Sequence, residues 1–217
     1  MPVLLSALSE PRVVLHGISW NFYDAFLKEI GEQHLYITYD KGEMELMSPL
    51  PEHEKLKWSI SMLVEALAME LEIDIESLGS STFRKESIGR GLEPDECYYI
   101  QHAEQMWNKR DLNFEHDPPP DLAIEIEVSR STLDRQSVYA ALGVPELWRY
   151  DGQTLRVLHL QKDGTYQEHT TSLCFPMLAM DDFVRFLQMS GKVRTRALVT
   201  QFRKWVRENL KKKQADN

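Results

Sequence analysis

Apolar residues recur at helical spacing in the first third of the chain. Over residues 56–71 they recur at steps of three and four, which predicts an amphipathic helix of about five turns. A shorter helical pattern covers residues 20–30, between Ser19, a residue type that favours helix N-caps, and Gly31. Two β-rich runs on either side of residues 40–42 predict a hairpin between these helices.

The rest of the chain alternates between short β-rich runs and helical segments. The predicted elements are β-rich runs at residues 80–84, 96–100 and 121–128, a helix at 132–142, three short strands within 146–169, a helix at 181–187 and a basic C-terminal helix. This order predicts the α/β class, as an α+β mixed sheet with flanking helices. We expect a single domain over residues 1–190, and a basic helix over 191–217 that packs on it or extends from it.

The predicted strand at residues 121–128 separates apolar and acidic side chains onto opposite faces. Its even-numbered positions are Leu, Ile or Val, whereas its odd-numbered positions carry Asp121, Glu125 and Glu127. One interpretation is a half-buried strand with its polar face in water, where carboxylates about 7 Å apart repel each other weakly. The other is a cluster of functional acids.

A second acidic run supports the functional interpretation. Asp95 leads into the β-rich run at residues 96–100. If this run and the strand at 121–128 are neighbours, Asp95 and Glu125 converge on one point. Two carboxylates with a backbone carbonyl and waters suit Mg²⁺ or Mn²⁺ rather than Zn²⁺. Such an ion polarises a phosphoryl oxygen and activates water, which phosphodiester hydrolysis requires.

The net charge of −9 argues against indiscriminate binding to nucleic acid. The charge is unevenly distributed, because residues 192–213 carry +8 and the rest of the chain −17. This asymmetry has three interpretations: a basic segment that faces nucleic acid, one that docks on an acidic surface, or a solvated helix face.

Two cysteines, Cys97 and Cys174, stand alone in the sequence, without a C-x-x-C pair. A reducing cytosol is therefore the expected location. No segment has the roughly 18 consecutive apolar residues that span a bilayer, and the first residues lack the positive region of a signal peptide. We therefore expect a cytoplasmic protein with no membrane partner.

Three stretches resemble the Uma-two family of putative restriction endonucleases, which belongs to the PD-(D/E)XK nuclease superfamily. They are GEMELMSPLPEHEKL at 42–56, EPDECYYI at 93–100 and PPPDLAIEIEVSRSTLDRQSVYAALGVPELWRYDG at 118–152. The likeness covers roughly residues 20–170, and Tyr-x-x-x-Gly-Val-Pro-Glu-x-Trp at 139–148 is its most specific part. The resemblance implies a restriction-endonuclease-like core. It also implies that Asp95 and Glu125 bind a metal ion together with the carbonyl of Ile126.

The sequence departs from this superfamily at the position of its lysine. In the D…E-x-K motif a lysine two residues after the acid stabilises the attacking water and the developing charge, and here that position is Glu127. In many relatives a lysine four residues before the helix tyrosine takes its place, and here that residue is Arg135. Arginine is not deprotonated in proteins, so Arg135 stabilises charge without acting as a base. Glu127 would hold a second metal ion or accept a proton.

His53 and Glu54 lie near the start of the long predicted helix. His53 is on the inward stripe, which indicates a hydrogen-bonded core or capping histidine. Because superfamily members often add an acid from this helix, the resemblance offers a second interpretation, with His53 or Glu54 at the edge of the metal pocket. Glu54 lies off the apolar stripe, which indicates a solvated side chain.

Two hypotheses of different class follow. In the first, the protein is a Mg²⁺- or Mn²⁺-dependent endonuclease acting on DNA, with the catalytic residues Asp95, Glu125, Glu127 and Arg135. In the second, it is a catalytically weak or inactive binding protein with a nuclease fold, which the missing lysine and the acidic body favour. Both are compatible with a homodimer joined through the three short strands or through the apolar stripe of the last helix.

Overall fold

The computed structural model describes residues 9–31 and 33–211 of the 217-residue chain. Its helices are α1 (Trp20–Ile30), α2 (Pro51–Leu71), α3 (Ala103–Met106), α4 (Arg135–Leu142), α5 (Met180–Leu187) and α6 (Thr195–Val206), with a 3-10 turn at Glu86–Ile88 and a π turn at Arg207–Lys211. Its strands are β1 (Arg12–Leu15), β2 (Tyr36–Asp40), β3 (Glu43–Met47), β4 (Glu76–Ser77), β5 (Phe83–Lys85), β6 (Arg90–Leu92), β7 (Glu96–Tyr99), β8 (Leu122–Ile126), β9 (Glu146–Tyr150), β10 (Leu155–Leu160) and β11 (Tyr166–His169). Among the helices of these residues, none combines the length and apolar composition that crossing a membrane requires.

The strands form two sheets. In the first sheet the order is β1-β3-β2-β6-β5, and all neighbours are antiparallel. In the second sheet the order is β11-β10-β9-β8-β7-β4, and the neighbours are antiparallel except for β8 and β9. Parallel neighbours need a crossover connection, which α4 provides between β8 and β9.

The structure confirms the α/β class and most of the predicted elements. Ser19 caps α1 by accepting a hydrogen bond from the Phe22 backbone N–H at 3.2 Å. The predicted hairpin is formed by β2 and β3, and its turn residues Lys41 and Gly42 both have positive φ. The three short strands predicted after residue 145 are β9, β10 and β11.

Other details differ from the expectation. The strands are divided between two sheets rather than gathered in one mixed sheet. The helix expected from residue 132 begins only at Arg135, because Asp134 caps it by accepting a hydrogen bond from the Ser137 N–H. The Thr132 N–H instead donates to the Glu45 carboxylate at 2.6 Å. β1, β4, β6 and α3 were not predicted, since segments this short carry little periodic signal.

The central strand β8 is buried on both faces. On one face Leu122, Ile124 and Ile126 belong to the main core, which also contains buried residues of α2, α5 and α6. On the other face Ala123 packs in a second cluster with residues of α4. The interpretation of a half-buried strand with its polar face in water is therefore wrong, since even Glu125 is only 8% exposed.

The basic C-terminal helix docks on an acidic part of α2. Its apolar side chains Leu198, Phe202, Val206 and Leu210 are buried in the main core. Arg203 and Arg207 both bind the Glu70 carboxylate, at 2.5 and 2.8 Å. Of the three interpretations of the basic segment, docking on acidic residues holds for Arg203 and Arg207, and a solvated face holds for the exposed side chains of Arg194, Arg196 and Lys204. The apolar stripe is covered by the protein's own chain, so it is not available as a dimer interface.

We predict that Phe202→Ala lowers the free energy of unfolding by about 3–5 kcal/mol. Phe202 is fully buried and its ring lies 5.0 Å from that of Phe186, so truncation leaves a cavity. Urea unfolding of Trp107→Ala is the matched control, because Trp107 is 71% exposed and its loss should change stability by no more than about 0.5 kcal/mol. Equal losses in the two variants would contradict the docking of α6.

Candidate active site

Asp95 and Glu125 come together at the end of β8. β7 and β8 are antiparallel with Glu96 opposite Ile124, and the same register places Asp95 opposite Glu125. Directly opposed residues of antiparallel strands point to the same face, with Cβ atoms about 5 Å apart. The expectation that these two acid-bearing strands are neighbours is confirmed.

A cavity of about 720 Å³ is lined by both acids. The loop at residues 127–134, which connects β8 to α4, contributes much of its wall. Arg149 of β9 and Arg156 of β10 line it from the second sheet, and Arg12 and Met47 line it from the first. Its volume is in the range of ordinary ligand-binding pockets.

Glu125 is held by three hydrogen bonds. Arg135 donates from Nη2 to Oε1 at 2.5 Å and from Nε to Oε2 at 2.9 Å, which makes the pair bidentate. The Tyr139 hydroxyl also donates to Oε1. Burial raises the pKa of Glu125, and the nearby Asp95 carboxylate adds to this effect, whereas the Arg135 charge opposes it.

Arg135 connects Glu125 to the first sheet. Besides the carboxylate, its guanidinium donates to the hydroxyl of Thr38 on β2 and to the backbone carbonyl of Glu93 at 2.7 Å. The structure therefore brings Arg135 to the site where the resemblance predicted it. Its donors face a carboxylate, a hydroxyl and a carbonyl, an arrangement that the planar fork of arginine suits and a lysine would not reproduce.

Asp95 is 2% exposed and has a weaker set of partners. Its Oδ2 accepts a hydrogen bond from the Ile126 backbone N–H at 2.5 Å. Its Oδ1 lies 3.1 Å from Nε2 of His53, outside hydrogen-bond geometry. Among the described residues, no Lys or Arg forms an ion pair with Asp95.

His53 lies against Asp95 but does not line the cavity. It is fully buried, as the core interpretation predicted, yet neither ring nitrogen has a hydrogen-bond partner among the described residues. Burial lowers the pKa of His53, but the Asp95 carboxylate outweighs burial and raises it above its ordinary value. Glu54 is 40% exposed and also lies outside the cavity lining.

Glu127 lines the cavity but is paired away from the two acids. Arg149 donates to its Oε1, and Arg156 donates to its Oε2 at 3.1 Å. The residue that replaces the motif lysine is therefore neutralised by arginines of the two following strands.

An ion-pair network at the cavity wall was not predicted from the sequence. Arg12 bridges the carboxylates of Glu10 and Glu45, at 3.0 and 2.7 Å. Glu45 in turn accepts hydrogen bonds from the Ser131 hydroxyl at 2.7 Å and from the Thr132 N–H. The first sheet thus holds the cavity loop. The sequence signal for this ion-pair network is the run of Ser and Thr at residues 129–132, between an acidic strand and a helix.

Asp95 and Glu125 can hold a hard cation with few protein ligands. An ionised carboxylate offers about four lone-pair positions. Three of those of Glu125 are occupied by Arg135 and Tyr139, which leaves room for one further bond. Asp95 is less occupied, since it accepts one hydrogen bond. Mg²⁺ binds in this manner, through one or two carboxylates and several waters. No group of three or more His, Cys, Asp or Glu residues in the described part of the chain is arranged as a metal cage.

A comparison with protein-family models assigns the chain to a family. The model of the Uma-two family (Uma2, described as "Putative restriction endonuclease") matches residues 23–190. A solved structure of a putative nuclease belonging to DUF820, from Anabaena variabilis, aligns with a TM-score of 0.49 and 15% identity, over 82% of this chain and 97% of that one. Among curated proteins, none matches the chain significantly.

We predict that Glu45→Gln lowers the free energy of unfolding at neutral pH by about 2–3 kcal/mol, because it removes charge-assisted hydrogen bonds that hold the loop. Although burial raises the pKa of Glu45, its bonds to Ser131, Thr132 and Arg12 outweigh this and lower the pKa below the ordinary value of 4.5. The stabilisation is therefore present above pH 4.5 and is lost as the pH falls through the lowered pKa.

Urea unfolding at several pH values tests this prediction, with Glu168→Gln on the exposed edge strand as the matched control. The difference between wild type and Glu45→Gln should shrink below pH 4.5. A difference that stays constant down to about pH 2 would contradict the assigned role of the carboxylate.

Proposed function

We propose that the protein is a Mg²⁺- or Mn²⁺-dependent endonuclease acting on DNA. The premise is that the chain belongs to the Uma-two family of putative restriction endonucleases. In this proposal Asp95, Glu125 and the carbonyl of Ile126 bind the metal ion. When bound, the ion would supply polarisation of a phosphoryl oxygen and a water of lowered pKa.

One observation carries this proposal. Asp95 and Glu125 line the same cavity, and both are less than a tenth exposed. Arg135 neutralises one of the two charges, whereas Asp95 has no Lys or Arg partner in the described chain and faces His53, 3.1 Å away, which is charged only when protonated. An excess of buried negative charge beside a cavity favours a bound cation.

The arginines that line the cavity would position DNA. Arg149 and Arg156 both bind the Glu127 carboxylate, so Glu127 holds them at the cavity. Because one carboxylate faces two guanidinium groups, part of their positive charge is left uncompensated. Arginine forks match phosphate geometry, and phosphate contacts fix the register of a protein on DNA. Glu127 is then an auxiliary residue that orients these arginines. Arg135 holds Glu125 in place and stabilises developing charge, without exchanging a proton.

The proposed location is the cytosol. Cys97 and Cys174 are both free and buried. Burial raises the pKa of both thiols, so they are poor nucleophiles and serve as packing residues. Free thiols of this kind are typical of reducing compartments.

A second candidate is a catalytically inactive protein of the same fold that binds DNA or another partner. Two observations favour it: Glu127 stands where the motif has lysine, and Glu125 already has three hydrogen bonds. Calorimetric titration with Mn²⁺ separates the endonuclease from the inactive protein. If the hydrogen bonds of Glu125 prevent it from binding a metal ion, the titration would give no binding heat.

The homodimer remains a prediction, now limited to the edge of the second sheet. β11 pairs with β10 and has no further strand beside it in the described residues. An open edge can pair with a second copy. Sedimentation velocity should then show a dimer that Glu168→Pro, at a position of β11 whose backbone N–H faces away from β10, converts to a monomer, whereas a monomeric wild type would refute it.

We predict that the purified protein nicks supercoiled plasmid with Mg²⁺ or Mn²⁺ and that EDTA abolishes the activity. Asp95→Asn should lower the rate at least about a hundredfold, because it removes charge from the metal site while keeping the size of the side chain. Asp74→Asn, an exposed acid outside the cavity, is the matched control and should retain full activity. Metal-independent cleavage, or equal activity in the two variants, would refute the proposal.

A further inference from the structure

We infer that this site takes one divalent cation and not two, because Arg135 already serves as the second cation of the acid pair. This inference rests on the proposed function. It concerns how many ions Asp95 and Glu125 can hold and which residue limits the number.

The hydrogen bonds of Glu125 leave it too few free lone-pair positions to bridge two metal ions. For two metal ions about 4 Å apart to share both acids, each carboxylate would need free lone-pair positions for two ions. Both oxygens of Glu125 face the Arg135 guanidinium, at 2.5 and 2.9 Å, and Oε1 also accepts from Tyr139. The one remaining lone-pair position serves one ion.

Arg135 is held by several hydrogen bonds, which prevent a metal ion from displacing it. Its side chain is 14% exposed, and it bonds to four atoms: both oxygens of Glu125, the Thr38 hydroxyl and the Glu93 carbonyl. These groups come from both sheets. A guanidinium cannot be neutralised by losing its proton, so its charge stays in the site under all ordinary conditions.

Glu127, the third acid that the sequence predicted at this site, is already neutralised. Each of its oxygens accepts from a different arginine, Arg149 on β9 and Arg156 on β10. A second ion would have to displace both arginines, which also line the cavity.

The charge balance agrees with a single ion. Asp95 and Glu125 contribute two negative charges and Arg135 one positive charge, so one divalent ion brings these three residues to +1, and His53, 3.1 Å from Asp95, adds a further positive charge when it is protonated. A second ion would bring the group to +3 or more in a site where the acids are less than a tenth exposed. Like charges repel strongly when they are shielded from water.

Mn²⁺ binding tests the inference independently of cleavage. Isothermal titration, with free Mn²⁺ counted by electron paramagnetic resonance, should give one ion per wild-type chain. Asp95→Asn should weaken its affinity at least about tenfold. Glu127→Gln should leave the number of ions unchanged, and Glu168→Gln, an exposed acid on the edge strand that serves as control, should leave both number and affinity unchanged.

The outcomes separate this inference from the proposed function. Two ions in the wild type, or loss of an ion in Glu127→Gln, would overturn the inference and leave the proposed metal dependence standing. No binding at all would overturn both. Arg135→Gln, checked for folding by circular dichroism, should bind two ions, and a folded variant that binds one would show that Arg135 is not the limiting residue. If this variant does not fold, the wild type and Glu127→Gln decide.

Discussion

The buried ion pair between Arg135 and Glu125 is the interaction on which the rest of the site depends. Glu125 lies on the central strand β8, between two core clusters, where an unpaired carboxylate would be costly. Removing one partner of such a pair typically costs about 3–5 kcal/mol, because the other charge is left without compensation. The pair therefore holds α4 against β8 and sets the direction of Glu125.

The same pair also ties the two sheets together beside the cavity. Through Thr38 and the carbonyl of Glu93, Arg135 reaches the first sheet and the segment that follows β6. Arg12 makes a second connection, from β1 to the backbone carbonyl of Ser129 in the cavity loop. The cavity is thus bounded by elements far apart in sequence, and its shape follows from these charged contacts rather than from apolar packing.

The run of acids at residues 121–127 has no nearby Lys or Arg in sequence because its partners come from elsewhere in the fold. Asp121 accepts hydrogen bonds from the backbone N–H groups of Ile100 and His102, at 2.7 and 3.0 Å. Glu125 is neutralised by an arginine of α4, and Glu127 by arginines of β9 and β10. The three carboxylates on and beside β8 therefore have three different environments, and Asp95, which directly precedes β7, is the acid left with spare binding capacity.

The sequence by itself determined the helices other than α3, the β2–β3 hairpin and the α/β class. These features depend on local periodicity, caps and turn residues, which act over a few positions. Only the tertiary structure decided that β7 and β8 are neighbours, that the strands divide into two sheets, that Arg12 anchors the cavity loop and that Glu127 is paired with Arg149 and Arg156. Side-chain contacts between residues 22 to 117 positions apart leave no periodic trace, because they depend on how whole elements pack.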